Sequence, residues 1–188
     1  MTYSISYLIT EKYNPTRKEL GLKVSITGFD KYKGQRVRFS GYPSIDKTFS
    51  KTGAITFTMI GTPSNNIIEV MDAKTNRVIQ QIGSLNGNVF LEGDKGQEII
   101  INHKSKVASI TIKKVQKLKD ELIRLEASPK IPIFFGIDSE TNQNLYTKKT
   151  DKKGSFDEQI TGVISDKHEI RILTGQMNKI CSIKPPEP

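Results

Sequence analysis

The sequence predicts a mostly β fold, two β-sandwich modules joined by a short α-helix. Three observations lead there. Apolar residues alternate with polar ones at a period of two along most of the chain. Gly, Asn, Asp and Pro punctuate that alternation at near-regular intervals. A single segment carries leucines at three- and four-residue spacing instead.

The alternation begins at the N-terminus, where Tyr3, Ile5, Tyr7 and Ile9 are separated by mostly polar neighbours. It continues through Leu22, Val24 and Ile26, then Val37 and Phe39, then Ile55, Phe57 and Met59. Ile68 and Val70 lead into Asp72-Ala73-Lys74-Thr75-Asn76, a polar bend of hairpin type, and Val78 starts the return. Val89–Leu91, Ile99–Ile101 and the set Ala108, Ile110, Ile112 extend the series. Many short strands with turns between them are the pattern of a sandwich or barrel.

Val115 to Glu126 breaks the rhythm. Val115, Leu118, Leu122 and Leu125 fall three, four and three apart, and Lys117–Glu121 and Asp120–Arg124 are opposite charges four apart. With Pro129 as the stop, this spacing predicts a helix of about three turns. Leu118, Leu122 and Leu125 would form its apolar stripe, which either packs on a neighbouring sheet or makes a short intermolecular seam. The division that follows is an N-terminal sandwich over 1–113, a helical linker over 114–127, a smaller C-terminal sandwich over 128–184 and an extended tail over 185–188. The C-terminal module is near the lower size limit for an independent core and is expected to dock on the first or on a partner. Ile131-Pro132-Ile133-Phe134-Phe135 is its contact strand: Pro132 marks an edge, and Phe134 and Phe135 point to opposite faces.

The two halves share a pattern. Gly28-Phe29-Asp30 resembles Gly136-Ile137-Asp138, each with Gln (Gln35, Gln143) beyond it, and Lys51-Thr52-Gly53-Ala54-Ile55 resembles Lys152-Lys153-Gly154-Ser155-Phe156. Strands Ile68–Val70 and Ile170–Ile172 then follow at similar distances. Thr150-Asp151-Lys152-Lys153-Gly154-Ser155-Phe156 also resembles the T-D-x-x-G-x-F turn-and-strand of transthyretin-like and carboxypeptidase-regulatory-like sandwiches. More broadly it is similar to the immunoglobulin-like modules of adhesins and virion proteins. The resemblance implies a non-enzymatic scaffold or binding module; the Cys and Trp of antibody-type domains are absent, Trp altogether.

Composition narrows the function classes. The chain has 188 residues, of which 35% are hydrophobic, enough for a core. No apolar run reaches the roughly 20 residues of a membrane span, and Met1–Glu11 has no signal-peptide pattern. The net charge of +9 is spread: residues 1–50 hold nine Lys/Arg against four Asp/Glu, and 101–150 hold ten against five. That fits a solvated basic surface and weak attraction to acidic polymers alike. One cysteine, Cys181, and two histidines, His103 and His168, leave no disulfide framework and no Cys/His zinc cluster.

No catalytic, cofactor or metal set emerges. Cys181 lies in the last strand with His168 thirteen residues before it, and no Gly-x-Ser-x-Gly elbow or phosphate-cradling glycine loop occurs. Asp138, Glu140, Asn142 and Asn144 alternate as calcium ligands do, but Gln143 and Lys149 stand where an EF-hand needs Gly and Glu, so the segment reads as a polar turn. The expectation is therefore a non-catalytic structural or assembly protein, a virion, tail or surface-appendage component, homo-oligomeric or part of a larger assembly. Its protein-contact candidates are Leu118, Leu122, Leu125, Phe134 and Phe135. A nucleic-acid-binding module is the main alternative, with Lys31, Lys33, Arg36 and Arg38 on an alternating basic strand. A carbohydrate-binding module is the other, with Tyr13, Tyr32, Tyr42 and Tyr146 for a platform.

Overall fold

The computed structural model describes residues 2–10, 16, 20–40, 45–61, 65–90, 94–104, 107–128, 133–134, 145–162 and 168–186. These form two antiparallel sheets. The first is ordered β11-β13-β9-β8-β1-β2-β5, from strands β1 (Thr2–Ile9), β2 (Leu20–Thr27), β5 (Ile55–Gly61), β8 (Glu98–Lys104), β9 (Val107–Lys113), β11 (Ile133–Phe134) and β13 (Phe156–Gly162). The second is ordered β12-β10-β14-β15-β7-β6-β3-β4, from β3 (Arg36–Phe39), β4 (Ile45–Thr48), β6 (Asn65–Met71), β7 (Val78–Asn86), β10 (Leu122–Ser128), β12 (Leu145–Lys149), β14 (Glu169–Thr174) and β15 (Lys179–Ile183).

Alternation explains which residues enter the core. In β1, Ile5, Tyr7 and Ile9 are buried while their neighbours are not, and in β3 Val37 and Phe39 are buried beside part-exposed Arg36 and Arg38. Both sheets feed one apolar cluster that includes Ile26, Phe39, Ile68, Ile101, Ile110 and Ile172. Each such side chain contributes about 1.5–3 kcal/mol by leaving water.

No α-helix joins two modules. The segment read as a helix is a 3₁₀ turn, Gln116–Leu118, followed directly by β10. Lys114 and Asp120 have φ of 52° and 50°, left-handed positions that a right-handed helix does not contain. Past Asp120 the burial runs Ile123, Leu125, Ala127 with Arg124 and Glu126 between them. That is period two, and the three-four-three leucine spacing was coincidental with it.

The strand pairings carry an internal two-fold relation. β1 runs antiparallel to β8 with Ile5 opposite Ile101, Ser6 opposite Ile100 and Tyr7 opposite Ile99. β7 runs antiparallel to β15 with Gly83 opposite Ile183, Ser84 opposite Ser182 and Leu85 opposite Cys181. Ile5 pairs with Ile26 on β2, as Ile99 pairs with Ile112 on β9. Ile26 pairs with Ile55 on β5, as Ile112 pairs with Phe156 on β13. Val37 pairs with Lys47 and Val70, as Ile123 pairs with Lys148 and Thr174. Strands β1, β2 and β5 thus correspond to β8, β9 and β13, and β3, β4, β6 and β7 correspond to β10, β12, β14 and β15. The two pseudo-equivalent repeats share both sheets, with β1 against β8 and β7 against β15 at the seams.

The turns repeat as well. Ser50 N donates to Ala54 O and Asp151 N to Ser155 O, each at 3.0 Å; Phe29 N donates to Gly53 O and Val115 N to Gly154 O, each at 3.2 Å. Gly53 and Gly154 have φ of 66° and 77°, and a Cβ on either would lie within 2.1 Å of backbone atoms, so both must be glycine. The match between Lys51–Gly53 and Lys152–Gly154 therefore holds in space. The counterpart of Gly28, however, is Lys114 rather than Gly136; residues 136–138 lie outside the described residues. The counterpart of Ile68–Val70 is Ile172–Thr174 rather than Ile170–Ile172, set by register with Val37 and Ile123. Strands beyond residue 128 do not pair only among themselves, since β13 joins β9 and β15 joins β7.

Candidate binding cleft between the repeats

A cleft of about 860 Å³ opens where the ends of β6 and β7 meet the β14–β15 hairpin and the Gln116–Leu118 turn, so both repeats line it. That volume is in the range of small-ligand sites. Its apolar part is Leu85, Val89 and Leu118, all buried, together with exposed Ile67. Six carboxamides ring it: Asn66, Gln81, Asn86, Asn88, Gln176 and Asn178. Lys117, Lys179 and Glu121 are its charged members.

Local hydrogen bonds fix the walls. Asn88 N donates to Asn86 Oδ1 at 3.1 Å, holding the short Gly87–Val89 turn, and Lys117 Nζ donates to Asn88 O at 2.6 Å. On the other side Thr174 N donates to Asn178 O at 2.8 Å, and Asn178 N donates to Thr174 Oγ1 at 3.2 Å. Beneath Leu118, Thr150 Oγ1 donates to Leu118 O and accepts from Glu121 N at 3.0 Å.

A second hollow, of about 270 Å³, overlaps the position equivalent by the two-fold relation: Gln80, Gln81, Ser182 and Lys184 in its lining correspond to Asn178, Lys179, Ser84 and Asn86, and Gly83 and Glu169 complete it. The difference comes from side chains. Leu118 corresponds to Tyr32, Val115 to Phe29 and Thr150 to Phe49. The three aromatic rings stack, with centroids 6.1–6.5 Å apart. Asn178 corresponds to Gln80, since Val70 pairs with Gln80 as Thr174 bonds to Asn178. Tyr32 Oη donates to Gln80 Oε1, and Gln80 Nε2 donates to Pro185 O at 2.9 Å, with Pro185 and Pro186 buried. In the second repeat a leucine and a shorter amide leave that space open.

The residues singled out by sequence are scattered. Leu118 and Leu125 are core residues, 2% and 1% exposed, whereas Leu122 is 40% exposed. Phe134 lies on β11, an edge of the first sheet. Phe135 and the run Asp138–Asn144 lie outside the described residues. Arg36 pairs with Asp46 at 3.1 Å and also donates to Asn76 Oδ1; Arg38 pairs with Glu69 at 3.1 Å. Lys31 Nζ sits 5.8 Å from the centre of the Tyr32 ring, and Lys33 is exposed in the turn that follows. Both arginines of the basic strand are therefore engaged by carboxylates. Tyr32 is buried and offers no surface platform.

Cys181 is fully buried, and burial pushes its thiol well above the ordinary range, which suppresses the nucleophilic thiolate. His103 and His168 are buried. Among the described residues no group of three or more His, Cys, Asp and Glu side chains is placed to hold a metal ion, and no helix is long and apolar enough to cross a membrane. No protein-family model matches the chain, and no curated protein matches it.

The cleft itself was missed from sequence. Its signal was the contrast of Tyr32 and Gln80 with Leu118 and Asn178, readable only after the strands are paired.

Proposed function

We propose that the chain is a non-catalytic structural or assembly protein, a component of a virion, tail or surface appendage, that works through protein–protein contacts. In this reading each repeat is an immunoglobulin-like sandwich, three strands (β1-β2-β5 or β8-β9-β13) over four (β7-β6-β3-β4 or β15-β14-β10-β12). The observation that carries the reading is the cleft. That cleft is built jointly by two fused repeats, and six neutral amides, which bind and orient, outnumber its three charged side chains, Lys117, Lys179 and Glu121. The one thiol is a buried core side chain and is not among the residues that line the cleft.

The test is the size of the endogenous chain under non-denaturing conditions. The reading expects it to travel in a complex far larger than its own 21.1 kDa. A pool found wholly as free monomer, with turnover of a specific substrate by the purified chain, would overturn it.

A further inference from the structure

We propose that the cleft accepts a tyrosine side chain carried on an extended segment of a partner protein, in the place that Tyr32 fills in the other repeat. This rests on the reading of the chain as an assembly protein and names what its partner presents. The template is internal. In the first repeat a phenol ring packs beside the mutually stacked Phe29 and Phe49, and its hydroxyl donates to the Gln80 carboxamide. In the second repeat the equivalent wall ends at Leu118, and the equivalent carboxamide, Asn178, is exposed at the cleft. An incoming ring finds the exposed side chain of Ile67 and the small accessible edges of Val89, Leu118 and Leu85 for its apolar contacts, and Asn178 for its hydroxyl. The surrounding amides of Asn86, Asn88 and Gln176 offer both donors and acceptors to the peptide backbone on either side of the tyrosine. A cleft of about 860 Å³ against 270 Å³ for its counterpart has room for that side chain and flanking backbone.

The experiment titrates the full chain with N-acetyl-tyrosinamide while following the Leu118 methyl and Asn178 side-chain amide NMR signals. Saturable shifts at both are expected, with a Kd of about 1 mM for so small a probe. N-acetyl-phenylalaninamide, which lacks the hydroxyl, should bind about 5-fold more weakly. The variant Leu118→Tyr/Asn178→Gln rebuilds the first repeat's arrangement and should fold normally and lose the shifts. Gln176→Trp, placed on the exposed rim, should block the mouth independently if the double variant does not fold. Absence of shifts with the tyrosine probe overturns the proposal. So do equal shifts in the blocked variants, or saturation of these signals by maltose in place of the amino-acid amide. Any of these with the large endogenous complex intact removes the tyrosine site and leaves the assembly reading standing.

Discussion

Ser84 and Ser182 face each other hydroxyl to hydroxyl at 3.0 Å, both buried, at the midpoint of the seam between β7 and β15. They are equivalent residues, one from each repeat, meeting on the pseudo-two-fold. Replacing either by Ala leaves a buried hydroxyl without that bond and should cost about 1–2 kcal/mol. The double replacement should cost less than the sum of the two, since no stranded hydroxyl remains. Urea denaturation of the four proteins measures this; strict additivity would show that the pair is not coupled.

Leu118 and Leu122 separate the two accounts of the 114–127 segment. As a helix stripe they would be equivalent. In the structure Leu118 is core and Leu122 is 40% exposed. Leu118→Ser should therefore cost about 3 kcal/mol or more, and Leu122→Ser within about 0.5 kcal/mol of nothing. Equal large costs would restore the stripe packed on a sheet, and a loss of oligomer mass with both variants still stable would restore the seam.

Alkaline pH should unfold the protein through Tyr7. Its phenol is fully buried and donates to Ser84 O at 3.3 Å, and burial first, then the neighbouring Cys181, raise its pKa well above the ordinary value. The unfolded chain ionises this phenol near pH 10 while the folded chain does not. Stability should be unaffected by this group below that pH and fall as pH rises beyond it. The buried Cys181 thiol adds to the same slope from about pH 9. Tyr7→Phe should flatten the alkaline limb at a cost of about 1 kcal/mol near neutrality. A wild-type limb unchanged by the substitution would mean that Tyr7 ionises freely in the folded state.

The sheets were legible where burial follows strict alternation, as in Ile5, Tyr7, Ile9 and in Val37, Phe39. The linker was not, because Leu118, Leu122 and Leu125 satisfy helical spacing while Ile123, Leu125 and Ala127 satisfy strand spacing, and only the left-handed Lys114 and Asp120 decide between them. Neither is glycine, so neither announced itself. The repeat was visible at Gly53 and Gly154, where the turn admits no other residue. It was hidden where Gly28 is matched by Lys114 and where the hairpins differ in length, which shifts β14 and β15 out of simple sequence register with β6 and β7. The cleft depends on that shifted comparison.

A photo-crosslinking amino acid at Gln176, on the exposed rim, tests most directly whether the chain acts through a protein contact made at the cleft. The control site is Lys51, exposed in the turn after β4. Irradiation of the endogenous chain should give one defined protein adduct at Gln176 and none at Lys51, and the crosslinked peptide should contain tyrosine. Equal and diffuse labelling at the two positions, or a Gln176 adduct with a small molecule alone, would contradict it.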